Sequence, residues 1–296
     1  MFSYRHAFHA GNHADVLKHL VLVAILRHLV EKETALALLD SHAGAGLYRL
    51  DGDYAATSGE AADGVLRLLQ VPKAGRADWP AALTDYLELL AGFNPHGGHR
   101  IYPGSPFVMQ RLARAHDRLK LFEMHPTDAK TLQANIEQLE AGRQVQVFRE
   151  DGFEGVRRFL PPPSRRALLL CDPSYELKSD YGRVVELQTM ALQRFPTGNS
   201  MVWYPIIARN EAHILPRKLK SVATRAGKPW LHATLTVKGA KQAVAGERRP
   251  GLPASGVFVV NPPYTLKAAL EQTLPLLAQL LAQDQHATHT LETQGG

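Results

Sequence analysis

Cysteine is almost absent: the single Cys171 in 296 residues excludes a disulfide framework and a cysteine-based zinc site. Long hydrophobic runs are missing too. None reaches the ~18 apolar residues a bilayer span requires, and Leu17 to Val30 is interrupted by Lys18, His19, Arg27 and His28. The opening Met1-Phe2-Ser3-Tyr4-Arg5-His6 has no apolar core segment and no small-residue cleavage site, so secretion is not expected. There is no internal repeat and no low-complexity tract, although the tail after Gln283 reads as frayed. Hydrophobic residues at 45% and charged residues at 21% exclude a disordered chain. What remains is a globular, cytoplasmic protein of one large domain, or one domain carrying a smaller insert, with no membrane partner.

The charge is unevenly placed. Between Pro205 and Pro250 stand ten Lys or Arg, at 209, 217, 218, 220, 225, 228, 238, 241, 248 and 249, against Glu211 and Glu247. That segment carries +8 of a formal net charge of +6, leaving about −2 for the rest. One-sided basic character is the footprint of a nucleic-acid binder, and equally of a solvated face on a basic protein.

Seven short apolar runs are separated by helix-length patterns. Ala35 to Leu39 ends at Asp40, Leu119 to Phe122 at Glu123, and Val145 to Phe148 just before Asp151-Gly152. Ala167 to Cys171 ends at Asp172 and Met201 to Tyr204 at Pro205, and later come His232 to Val237 and Gly256 to Val260. Such runs read as buried strands of a mainly parallel sheet, in an α/β fold whose ligands bind beyond the strands' carboxyl ends. The gap of 77 residues between Gly46 and Glu123 exceeds by roughly 55 the ~20 usual between a glycine loop and its ribose-binding acid. With helical patterns at Gly59 to Gln70 and Trp79 to Leu90, it predicts an inserted helical subdomain at Leu50 to Pro103.

Four strand ends carry chemistry. Asp40-Ser41-His42-Ala43-Gly44-Ala45-Gly46 has the small residues that let backbone turn tightly against a nucleotide. Glu123 can accept both hydroxyls of a ribose. Asp151-Gly152 is placed to bond an adenine amino group, or is a plain turn. Asp172-Pro173-Ser174-Tyr175 offers a carboxylate and a proline carbonyl as acceptors for an exocyclic amine, and a ring to stack on a flipped base.

In this order the four signals resemble the class I Rossmann-like S-adenosylmethionine-dependent methyltransferases of the amino-group type, whose hallmark is Asp/Asn/Ser-Pro-Pro-Tyr/Phe/Trp. The run from Ser3 to His19, Asp40-x-His42-Ala43-Gly44-x-Gly46, Tyr102-Pro103-Gly104-Ser105-Pro106 and Glu123-x-His125-Pro126 narrow this. They resemble the family of bacterial ribosomal RNA large-subunit methyltransferases J, from Met1 to about Leu280. The resemblance implies a seven-stranded mainly parallel sheet with a small helical insert, and formation of N6-methyladenosine at adenine 2030 of 23S rRNA. It implies that Lys18, His19, His42, Ser105, Glu123, Asp151, Gly152 and Asp172 hold S-adenosylmethionine. Asp172, with Pro173 and Tyr175, would be catalytic, and Tyr4 would reach the RNA. Ser174 departs from the usual second proline, which removes one fixed φ but keeps both acceptors and the ring.

Asn261-Pro262-Pro263-Tyr264 matches the hallmark better, yet Asp172 falls fourth in the order this fold requires, so Asp172 is expected to act. His6, His9 and His13 could share a helical face, but with Asp15 as the one nearby carboxylate no metal is expected. A monomer is expected, since nothing demands a partner copy. DNA adenine or a protein glutamine amide remain alternative acceptors, and a decayed site that merely binds RNA is a third reading.

Overall fold

A computed structural model describes residues 5–52, 59–240 and 251–295. Its main sheet has eight strands: β1 (Ala37–Asp40), β4 (Arg118–Phe122), β5 (Val145–Phe148), β6 (Ala167–Cys171), β7 (Asn199–Ile206), β8 (Trp230–Thr236), β9 (Ala254–Val260) and β10 (Thr288–Gln294). A separate antiparallel pair joins β2 (Leu47–Arg49) to β3 (Ile101–Pro103). The sheet order is β10-β8-β9-β7-β6-β1-β4-β5. From β5 to β7 all neighbours are parallel, while β9 runs antiparallel to β7, β8 to β9 and β10 to β8.

Both faces of the sheet are covered, and side chains alternate between two cores as a strand's period of two demands. Leu38, Leu168, Leu170, Met201, Val257 and Val259 enter one core; Leu39, Leu169, Cys171, Val202, Phe258 and Val260 enter the other. The first core is closed by α1 (His13–Leu29), α4 (Ser105–Leu112), α5 (Pro126–Glu137) and α9 (Tyr264–Leu280). The second is closed by the single turn α6 (Gly152–Gly155), α7 (Lys178–Arg194) and α8 (Asn210–Arg225). Between β2 and β3 the chain forms α2 (Val65–Gln70) and α3 (Ala81–Gly92), and α3 packs on α1 and α9.

Helix α1 is buried almost all round, including Lys18 and His19, which is why its apolar stripe is broad rather than one-sided. Asn12 caps it, its side chain accepting from the N–H groups of Ala14 and Asp15 at 3.0 Å each.

Two expectations change. The sheet has eight strands, not seven, because the tail after Gln283 forms β10 instead of fraying. Its Thr-rich sequence alternates exposed and half-buried, and it is held by pairing with β8 from Thr288↔Thr236 to Gln294↔Trp230. Trp230 Nε1 also donates to Gln294 Oε1 at 2.7 Å. Such an edge strand has no apolar run of its own; its partner makes it a strand.

Candidate active site

The chain leaves β1 for β4 on one side and returns to β6 on the other, so β1 and β6 flank the topological switch point. A cavity of about 410 Å³ opens beyond their carboxyl ends, within the range of small-molecule sites. Its walls come from the segments after β1, β4, β5 and β6, with Lys18 of α1 and Ser105 at the start of α4.

The loop after β1 turns through Gly44, whose φ of +60° and neighbour Tyr48 Oη, 2.3 Å from where a Cβ would sit, admit no side chain. The Gly44 N–H donates to Glu123 Oε2 at 2.8 Å, and the His125 N–H to Oε1 at 2.7 Å. Burial raises the Glu123 carboxyl, Asp128 adds to the rise, and those two N–H groups hold it back. Glu123 lines the cavity, and each of its carboxylate oxygens has capacity to accept one more hydrogen bond.

After β5, Asp151 caps α6 through the Phe153 N–H at 3.0 Å, and its other oxygen accepts from Arg183 Nη2 at 2.6 Å. Gly152 lies so close to the β1 loop that a Cβ would fall 1.8 Å from the Ser41 carbonyl. His42 packs edge-on against Phe153, ring centroids 4.6 Å apart. Burial, helped by the Arg183 cation, pushes its pKa down to about 4, so the ring is neutral at pH 7.

Carboxylates crowd the switch point. Asp40 is fully buried, and its Oδ2 has no hydrogen-bond partner among the described residues. Burial lifts its carboxyl to about 7 and Asp172 adds to the rise, against hydrogen bonds from Ser105 and the His42 N–H. Asp172, one step beyond β6, accepts from Lys18 Nζ through Oδ2 at 2.5 Å; its Oδ1 has no protein partner among the described residues. Lys18 Nζ also meets Asp15 at 2.9 Å. Burial opposes a charged lysine here, but Asp15 and then Asp172 outweigh it and hold Lys18 well above its usual range.

A site rich in carboxylates, whose cationic side chains Lys18 and Arg183 are both already paired, suits a small cationic ligand that carries hydroxyl groups. Residues 33–292 match the family described as Ribosomal RNA large subunit methyltransferase D, RlmJ. This chain belongs to that family. A relative in Escherichia coli (strain K12), named Ribosomal RNA large subunit methyltransferase J, is 39% identical over 97% of this chain and 98% of its own length. A protein of the same name in Haemophilus influenzae is 37% identical over 99% of this chain and 98% of its own. A crystal structure of a Legionella pneumophila protein, 28% identical, superposes with a TM-score of 0.83 over 96% of this chain and 98% of that one.

Of the residues expected at the site, Lys18, His42, Ser105, Glu123, Asp151, Gly152, Asp172 and Pro173 line one cavity. His19 and Tyr175 do not. His19 is fully buried against Tyr102, with 2.7 Å between Nδ1 and Oη, and burial followed by the Lys18 charge pushes it down to about 3. Tyr175, with φ +54°, turns its ring into the second core beside Tyr181 and donates from Oη to the Trp203 carbonyl at 2.6 Å. The expected stacking platform is thus a buried brace, because the left-handed turn after Ser174 aims the ring inward. Ser174 itself is exposed, and its Oγ accepts from the Glu176 N–H at 3.4 Å, a weak hydroxyl turn where a second proline would stand. Tyr4 lies outside the described residues.

Asn261-Pro262-Pro263-Tyr264 sits at the other end of the sheet. Strand β9 runs antiparallel to β7 and pairs Val260 with Ser200, so Asn261 emerges beside the start of β7, not its carboxyl end. There Asn261 Nδ2 donates to the carbonyls of Pro196 at 3.1 Å and Gly198 at 2.7 Å, closing a turn. The three N-terminal histidines take three separate partners: His6 faces Asp15 (2.9 Å), His9 Glu60 (3.0 Å) and His13 the Leu252 carbonyl (2.8 Å). Among the described residues no group of three His, Cys, Asp or Glu could hold a metal, and no helix is long and apolar enough to cross a membrane.

Sequence reasoning weighed His6 and Asp15 only for a metal and gave them no place at this site, and it did not single out Arg183. Asp15 carried a usable signal, three residues before Lys18 on one helical face; Arg183 carried none, because only the packing of α7 brings it to Asp151. Within the basic segment, Lys220 is engaged by Glu292 at 2.8 Å, while Arg217 and Lys218 are exposed; 241, 248 and 249 lie outside the described residues.

Proposed function

We propose that this protein transfers a methyl group from S-adenosylmethionine to the exocyclic N6 amine of an adenine in 23S rRNA, at position 2030 by family resemblance. The observation that carries the reading is Asp172: a carboxylate at the switch point, held on one oxygen by Lys18 and open on the other. Family membership supports the RNA substrate, and the two relatives' names speak of the large ribosomal subunit.

The fit to the donor rests on the cavity itself. Glu123 faces it with spare lone pairs for ribose hydroxyls, and Asp151 stands over the next strand end for the adenine edge. Bound there, the donor supplies an electrophilic methyl on a cationic sulfur.

The protein's task is then orientation and electrostatics. An adenine amine has its lone pair delocalised into the ring. Asp172 Oδ1 and the Pro173 carbonyl draw on its two hydrogens, which helps the nitrogen pyramidalise as the new bond forms, and Asp172 Oδ1 is where the departing proton is held. Tyr175 contributes by bracing the turn that presents Asp172. The exposed cations Arg217 and Lys218 belong, in this reading, to the surface that meets RNA phosphates. Residues 50–103 are an inserted subdomain within a single methyltransferase domain that acts in the cytoplasm as a monomer.

The test is a tritiated-methyl transfer assay offering unmodified 23S rRNA, adenine-rich duplex DNA and total cell protein in parallel. Label recovered from the rRNA as N6-methyladenosine is the expected result. Label confined to DNA or protein would keep the chemistry and overturn the substrate.

A further inference from the structure

Asp15 does not itself line the cavity, yet it contacts two residues that do. It is 2% exposed on the first turn of α1. Its Oδ2 accepts from the Gly11 N–H at 2.9 Å and lies 2.9 Å from His6 Nε2. Its Oδ1 lies 2.9 Å from Lys18 Nζ, whose next contact is Asp172 Oδ2 at 2.5 Å. His6 and Lys18 both line the cavity.

An acid on the first turn of a helix has an ordinary role, accepting a free backbone N–H and meeting the positive end of the dipole. One oxygen suffices for that, and here Oδ2 does it. The second oxygen is spent on Lys18, one turn further along the same face, in a site where both side chains are at most 5% exposed. A buried ammonium with a single carboxylate would close fully onto it. An ammonium shared between two is held between them, and Asp172 then meets Lys18 through one oxygen only.

We infer that Asp15 is a positioning residue for methyl transfer: it anchors Lys18, and with it His6, so that Asp172 keeps one oxygen open to the substrate amine. This rests on the function proposed above. Asp15 acts through its neighbours and touches no reacting atom. Consistent with this, burial would push the Asp15 carboxyl up, but His6 and Lys18 hold it well below the usual range. Of the two carboxylates that keep Lys18 charged, Asp15 has the larger influence.

The experiment is a double-mutant cycle on the full chain, using Asp15→Asn, Lys18→Met and both together. Single-turnover transfer of tritiated methyl to 23S rRNA transcript is read beside the calorimetric Kd for S-adenosylmethionine and the melting temperature. Asp15→Asn keeps an acceptor for the Gly11 N–H and removes the charge. It is expected to slow transfer on the order of 10²-fold, the cost of an ångström-scale misplacement, with donor Kd nearly unchanged. In the Lys18→Met background the same change is expected to cost no more than about twofold, because its route of action is gone. A parental rate in Asp15→Asn, or a full loss repeated on top of Lys18→Met, would overturn the inference. If Asp15→Asn does not fold, Asp15→Ser carries the same expectation, and failure of both to fold makes Asp15 purely structural. A parent protein that labels no rRNA refutes the proposed function and takes this inference with it; a labelling parent with an unaffected variant refutes only the role of Asp15.

Discussion

Replacing Asp172 with Asn tests the reading at its centre. The side chain keeps its shape, and its oxygen can still accept from Lys18 Nζ, now 2.5 Å from Asp172 Oδ2. The open position toward the cavity then becomes an amide NH2, a donor where the substrate amine needs an acceptor. Losing one preorganised partner of the reacting group costs about 10²–10³ in rate, or about 2.7–4 kcal/mol. Stability suffers less. Lys18 retains Asp15 at 2.9 Å, so no buried charge is orphaned, and the loss is bounded by one charge-assisted hydrogen bond, about 1.5–3 kcal/mol. Single-turnover methyl transfer gives the rate, calorimetry the donor Kd, and urea melts the stability. A rate loss below about tenfold would refute the reasoning, and so would a donor Kd that rises in step with the rate loss. Asn261→Ala is the paired control. It removes the bonds to the Pro196 and Gly198 carbonyls, which is expected to cost about 1–3 kcal/mol of stability while leaving transfer intact.

Three further outcomes are expected. Gly152→Ala places a methyl 1.8 Å from the Ser41 carbonyl, so the loop after β1 must shift; a loss of about 1–3 kcal/mol with weakened S-adenosylmethionine binding should appear in melts and calorimetry. Asp40 is raised from 3.8 to about 7 by burial, so its contribution to stability is complete below pH 4 and is lost as pH rises through 7. That rise corresponds to about 4 kcal/mol, and Asp40→Asn should gain on the parent by that order between pH 4 and 8; parallel stability curves would contradict it. Arg217→Ala with Lys218→Ala should weaken RNA binding and lower the slope of log K against log salt by about two, whereas Lys220→Ala, already engaged by Glu292, should change the slope little.

Much of this site was legible because a parallel sheet with both faces covered writes its strands as short apolar runs. The polar residue that ends each run falls where ligands bind. Asp40, Glu123 and Asp172 follow from that rule alone, Asp151 stands three residues past its run and was marked by its glycine, and the order of the runs was enough to prefer Asp172 to Asn261. Direction was not legible: only the antiparallel pairing of β9 with β7 shows that Asn261 lies at the far end of the sheet. Side-chain aim was hidden for the same reason. Tyr175 and His19 belong to the right segments, but a left-handed φ and the packing of α1 against Tyr102 turn them inward.

The sequence by itself determined the α/β class, the four strand-end acids and the family, because periodicity and local motif are properties of neighbours along the chain. The tertiary structure decided which charges meet. Asp15, Lys18 and Asp172 span 157 positions, and Arg183 reaches Asp151 across 32, so their pairing exists only once α1 and α7 pack against the sheet. The same holds at the edge, where β10 is a strand because β8 offers it partners. A buried charge takes its partner from packing in three dimensions, and separation along the chain does not reveal it.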